Sequence, residues 1–174
     1  MNLSDNAMFS HKDHALGAAT ALAASLTANT AITELNIASN YLGEDEEDNP
    51  DMSGVIAIGD AIPARGVMTS LNVGNNSIPV ENMNEIIAIV EAKPAMKVLC
   101  AVPFRDKTIT ELDVSGQSLG VEGALVIRRD LANNGALTSL NIRNSIVSTS
   151  PNVRGRNSYK TGDLVEYEGV MCPV

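Results

Sequence analysis

The chain has 174 residues, 44% of them hydrophobic and only 3% aromatic, with a formal net charge of −9. That length fits one domain with a sizeable core, and the hydrophobic fraction excludes a disordered chain. The negative charge argues against general affinity for nucleic acid or for an anionic membrane, since both attract cations.

Residues 1–14, MNLSDNAMFSHKDH, are polar and acidic where a signal peptide would be basic and then apolar. An intracellular, cytoplasmic setting is therefore expected. Cys100 and Cys172 lie far apart, outside any CxxC spacing, and read as free thiols. His11 and His14 stand three apart but lack a third ligand, so no metal is expected there. A first helix is predicted over 15–27, with Leu22 and Leu26 as an i,i+4 apolar pair and Asn29-Thr30 as its stop. Alternation in ITELNIASNYL (32–42) predicts a strand over 33–38. GEDEEDNPD at 43–51 follows as an acidic insertion. Its carboxylates lack the spacing and the glycine turn of a calcium loop, so it reads as a solvated loop.

A second helix is expected over 53–63, carrying Ile58 and Ile62 and stopping near Arg65-Gly66, and MTSLNVGNNSI (68–78) predicts a strand over 69–74. A third helix over 82–92 carries Ile86 and Val90. It leads to MKVLCAV, a degraded strand unit with Leu99 and Ala101 near 96–101. Residues 102–108 are expected to form an irregular connection, because 13 residues from Met96 to Ile109 leave no room for a crossover helix. ITELDVSGQSL (109–119) predicts a strand over 110–115. A helix over 121–132 with Ile127 and Leu131 follows, and LTSLNIRNSIV (137–147) predicts a strand over 138–143. SPNVRGRNSY at 150–159 reads as a linker, and the alternating DLVEYEGVMCPV at 163–174 as a β-type tail.

Four of these segments share one template. Counting each first residue as zero, apolar residues recur at 0, +3, +5 and +10. Leu35, Leu71, Leu112 and Leu140 stand at +3, and Ile37, Val73, Val114 and Ile142 at +5. Position +8 holds Asn40, Asn76, Gln117 and Ser145, where a side-chain amide can bond backbone groups left unpaired as the chain leaves the strand. The degraded unit carries Phe104 there. Two spacings, Met68 to Met96 and Ile109 to Leu137, are 28 residues, and Ile32 to Met68 is 36 because of the acidic insertion. Each unit reads helix, turn, strand, and its repeated Leu, Ile and Val read as core, since one unit cannot bury its face alone.

The pattern LxxLxLxxNxL resembles the leucine-rich repeat, and the 28-residue period with a helix resembles its ribonuclease-inhibitor-like subtype. The resemblance covers about residues 15–147. It implies an α/β solenoid, a short right-handed horseshoe with a parallel sheet inside and helices outside. Residues 1–147 would form that solenoid, with four clear repeats and one degraded. Residues 148–174 would be a linker and a tail that caps the open edge of the last strand or joins a homodimer through the C-terminal end. It further implies a module that binds a protein partner through the concave face.

On that face, strand alternation places Glu34, Ser70, Glu111 and Ser139 at +2 and Asn36, Asn72, Asp113 and Asn141 at +4, with Arg143 beyond them. These are the candidate partner-binding residues. No catalytic, cofactor or metal residues are expected. The chain has no HExxH and no P-loop, and KTG at 160–162 stands without an SxxK. Two other roles fit the same pattern: a self-assembling structural module, and a regulator of an enzyme such as a GTPase or nuclease. Charge is uneven, with eight acids and no base over 34–60 and six bases and one acid over 128–160. The basic end suits an acidic partner.

Overall fold

The computed structural model describes residues 1–6, 15–43, 51–62, 66–145, 164–167 and 170–173. Within them the chain runs α1 (Ala15–Ala28), β1 (Glu34–Asn36), α2 (Ser53–Ala61), β2 (Ser70–Asn72), α3 (Val80–Glu91), β3 (Val98–Leu99), β4 (Glu111–Asp113), α4 (Gly120–Leu131), β5 (Ser139–Asn141), β6 (Leu164–Tyr167) and β7 (Val170–Pro173). It is a mixed α/β fold of four helices and short parallel strands, without a closed barrel among the described residues.

Local chemistry explains the boundaries. α1 stops where the Asn29 side chain accepts the Ala31 and Ile32 N–H groups. α2 ends at Ala61 because Ile62 precedes Pro63, and a residue before proline is driven out of the helical region; its ψ is 105°. α3 begins two residues earlier than the periodicity suggested, because Pro79 (φ −56°) sets up its first turn. The acidic run Glu44–Asp48, His11, His14 and the 150–159 segment lie outside the described residues.

β1 and β2 pair in parallel with Leu35 opposite Leu71, and β2 pairs with β3 with Leu71 opposite Leu99. β4 and β5 pair in parallel in the same relative register, Leu112 opposite Leu140. The register follows from the template: the Thr33 carbonyl accepts from Thr69 and Ser70, and the Thr110 carbonyl accepts from Thr138 and Ser139. The expectation of one continuous sheet is corrected, because β1-β2-β3 and β4-β5 are separate sheets. The cause lies at β3. Cys100 and Ala101 take positive φ (47° and 62°), which turns the chain back on itself. Val102 then exchanges two hydrogen bonds with Leu99, at 3.0 and 2.9 Å. Those are the Leu99 peptide groups that point away from β2, so no bonding edge is left for β4.

The 102–108 connection is held from the other side by Arg105. Its guanidinium donates to the carbonyls of Met96, Glu91 and Lys93 and lies 5.1 Å from the Phe104 ring. It thus occupies the carbonyl end of α3, where a cation is favoured.

The core lies between the sheets and the helices. Leu35, Ile37, Leu71, Val73, Leu99, Leu112 and Val114 face Leu26, Ile58, Ile62, Met83, Ile86, Val90, Val126 and Ile127. The last unit departs from the expected core: Leu140 is 37% exposed and Leu131 is 43% exposed, because no described helix covers that end. β6 and β7 pair antiparallel with each other and join neither parallel sheet, so these described residues of the tail do not extend β5.

The same template position therefore has two environments, which yields a stability prediction. Leu71, 1% exposed, cut to Ala should cost about 2–5 kcal/mol, since a buried leucine leaves a cavity. Leu140→Ala should cost less than half as much. Urea denaturation of both variants measures this, and equal losses would contradict the packing described.

Candidate functional site

The polar residues that alternate with the core gather into two groups. Pairing sets Glu34 opposite Ser70 and Asn36 opposite Asn72. The second sheet sets Glu111 opposite Ser139 and Asp113 opposite Asn141, with Arg143 exposed just beyond. The first group lines an open depression of about 320 Å³, which Met1, Asn2, Leu35, Ala101 and Gln117 also border. Gln117 lies past β4, so the depression reaches across the break between the sheets. Glu111, Asp113, Ser139, Asn141 and Arg143 do not line it.

The +4 side chains have a structural task as well. Each Oδ1 accepts the N–H two residues on: Asn36 from Ala38, Asn72 from Gly74, Asp113 from Ser115 and Asn141 from Arg143, all at 2.9–3.2 Å. This side-chain turn lets the backbone leave the strand without an orphaned donor. Asn141 also donates to Asp113 across the sheet at 3.0 Å. Hydrogen bonds from Ser115, then the one from Asn141, hold the Asp113 carboxyl below the usual carboxylate range.

The +8 amides are buried and multiply bonded. Asn76 Nδ2 donates to the carbonyls of Ile37, Val73 and Gly74, while its Oδ1 accepts from Asn40 N and Leu42 N. Asn40 Nδ2 donates to Leu3, Ile37 and Ala38, and its Oδ1 accepts from Asn6 N. Ser145 continues the series through its hydroxyl, which donates to the Val114 carbonyl. Gln117 does not; it is exposed.

Two participants escaped the sequence reading. The first is Glu122 on α4, 1% exposed. Its carboxylate accepts from Asn76 N, Ile78 N and Asn75 N at 2.9–3.0 Å. Asn76 N and Ile78 N correspond to Asn40 N and Leu42 N one unit earlier, so Glu122 takes the place of the amide missing at Phe104. Gly120 permits the approach. At φ +59° a Cβ there would lie 2.5 Å from both Asn75 N and Glu122 Oε2.

The second is the segment Met1–Asn6. Leu3 N donates to Asn36 O and Asp5 N to Ala38 O, as Ile37 N donates to Asn72 O and Ser39 N to Gly74 O. MNLSDN thus copies LNIASN at 35–40, a match the sequence displays once Met1 is aligned with Leu35. Ser4-Asp5-Asn6 also spells the SDN that accompanies KTG in penicillin-binding proteins. Here Ser4 bonds Asn2, and Asn6 bonds the Ser4 carbonyl, so the triplet builds a turn. KTG lies outside the described residues.

Elsewhere, Lys107 reaches Asp130 at 2.5 Å beside a cavity of about 20 Å³ that also touches Ile87, Phe104 and Val126. Asp130 is 1% exposed in its side chain, and its second oxygen meets no partner among the described residues. One water molecule fits that volume. Among the described residues no cluster of three His, Cys, Asp or Glu is placed to hold a metal, and no helix is long and apolar enough to cross a membrane. No known protein family, curated protein or solved structure matches the chain.

Burial pushes the Glu122 carboxyl above its usual 4.5, against the opposing hydrogen bonds from Ile78, its own N–H, Asn76 and Asn75. The folded state therefore binds a proton more tightly than the unfolded state. Glu122's contribution to stability should be largest at and below pH 4.5 and fall as pH rises from 4.5 through the folded-state value. Denaturation midpoints of the wild type and Glu122→Gln should show the wild type losing ground to the variant across that window; a gain would contradict it. Cys100 is fully buried, and desolvation raises its thiol to about 12. In a Cys172→Ser chain, no thiol should react with an aromatic disulfide reagent until denaturant is added.

Proposed function

We propose that the chain is a leucine-rich-repeat solenoid that binds a protein partner through the polar face of its sheets, without catalysis of its own. One observation carries the reading: the depression of about 320 Å³ lies on the strand residues that alternate with the core, spanning β1, β2 and the turn after β4. Its rim is built from a rigid backbone, because the Asn36 and Asn72 side chains fix the strand exits. A rigid surface loses little entropy on binding. The common register of the parallel strands and the buried amides at +8 support the solenoid.

The face carries Glu34, Glu111 and Asp113, all exposed. It suits a protein surface presenting lysine, arginine and backbone N–H donors. Charge at such a rim governs association rate and specificity more than affinity. Arg143 adds a cation at the far end of the face.

A photo-crosslinking residue at Ser70 should capture the partner in cells, while the same residue at Ile56, exposed on α2, should not. The captured protein should then bind the purified chain about tenfold more weakly after Glu34→Lys, a change of about 1.4 kcal/mol. Equal capture from both positions would place recognition outside the sheet face.

A further inference from the structure

The two ends of the parallel array are built alike. Asn2 Oδ1 accepts from Ser4 N, and Asn141 Oδ1 accepts from Arg143 N. Asp5 and Asn144 then take the same left-handed conformation, φ 55° and 54°, as do Ser39, Asn75 and Gly116 at the equivalent position of the interior units.

Each interior junction uses the same bonds. The +5 and +7 N–H groups of one unit donate to the +4 and +6 carbonyls of the next, as in Val114 to Asn141 and Gly116 to Arg143. At the outer edge of β5 the corresponding donors are Ile142 N and Asn144 N, and no described residue accepts them. At the opposite end the corresponding acceptors are Asn2 O and Ser4 O. Ser4 O already receives the Asn6 amide, the same arrangement in which Ala38 O receives both Asn40 Nδ2 and Asp5 N.

The side chains agree with the backbone. Met1 and Leu140 both occupy +3, where the interior leucines are 1–7% exposed; Met1 is 53% exposed and Leu140 37%. Asp5 and Arg143, both exposed and of opposite charge, stand at adjacent positions of the two edges.

We propose that a second copy of this chain docks head to tail, its Met1–Asn6 segment adding to the β5 edge as the next strand. Ile142 N and Asn144 N then donate to Asn2 O and Ser4 O, Leu140 covers Met1, and Arg143 faces Asp5. The contact joins unlike surfaces, so it leaves a free end on every assembly and grows beyond a dimer. It uses the backbone edges of the array, and Met1 and Asn2 also border the depression on the sheet face.

Light scattering of the full chain across a concentration series tests this. The mass should rise past a dimer, and added salt should weaken the rise. Asp5→Arg and Arg143→Glu should each weaken association about tenfold, and the double variant should restore it, because the swapped pair meets again across the junction. Leu140→Glu should also reduce it, with circular dichroism showing that the variant is folded. A chain that is monomeric at every concentration overturns the proposal, as does a dimer that never grows and ignores Asp5→Arg.

Discussion

The structure depends on how buried backbone groups are satisfied where the strands end. Each strand of the parallel sheets is only two or three residues long before the chain turns away. The turn leaves N–H and C=O groups pointing into the core, and an unmet buried donor costs about 1–3 kcal/mol. Asn40 and Asn76 meet this demand with side chains that bond their own turn and the neighbouring one. The amide at +8 therefore fixes both the loop and the stacking of one unit on the next.

Glu122 shows that the requirement concerns acceptors in a place and not a residue type. After β2 the following unit supplies no amide, because Phe104 stands at its +8 position. A carboxylate from α4 reaches the same two N–H groups by a different route. The route is short because the exit turns of β2 and β4 are in backbone contact: a Cβ on Gly74 would fall 2.6 Å from Ser118 O. The second sheet thus docks on the turn of β2 even though it does not hydrogen-bond to β3. The break between sheets and the buried acid are one adaptation to a shortened unit.

That adaptation shapes the surface. The depression opens where Ala101 and Gln117 flank the break, beside the regular ladder of β1 and β2. A continuous sheet would present a uniform polar face, whereas the interrupted one presents a local concavity at a defined place. The proposed recognition face and the proposed head-to-tail edges are both consequences of a template repeated along the chain. The face arises where the template is broken, and the edges arise where it stops.

The amino-acid sequence alone located the four helices and the four regular strands found among the described residues, because apolar spacing of 3.6 and 2 residues is a local signal. It also set the relative register, since Leu35, Leu71, Leu112 and Leu140 can share a layer in only one alignment. It indicated the turn amides at Asn40 and Asn76. It did not indicate Glu122, whose role depends on contact with residues more than forty positions earlier. Nor did it separate the sheets, because the decisive hydrogen bonds between Leu99 and Val102 follow from a positive-φ turn without a glycine. Met1–Asn6 holds only the later half of the template, positions +3 to +8, and so lacks the flanking apolar pairs that identify the other units. Template position could not tell that Leu140 and Leu131 are exposed, since burial is decided by what packs against a residue.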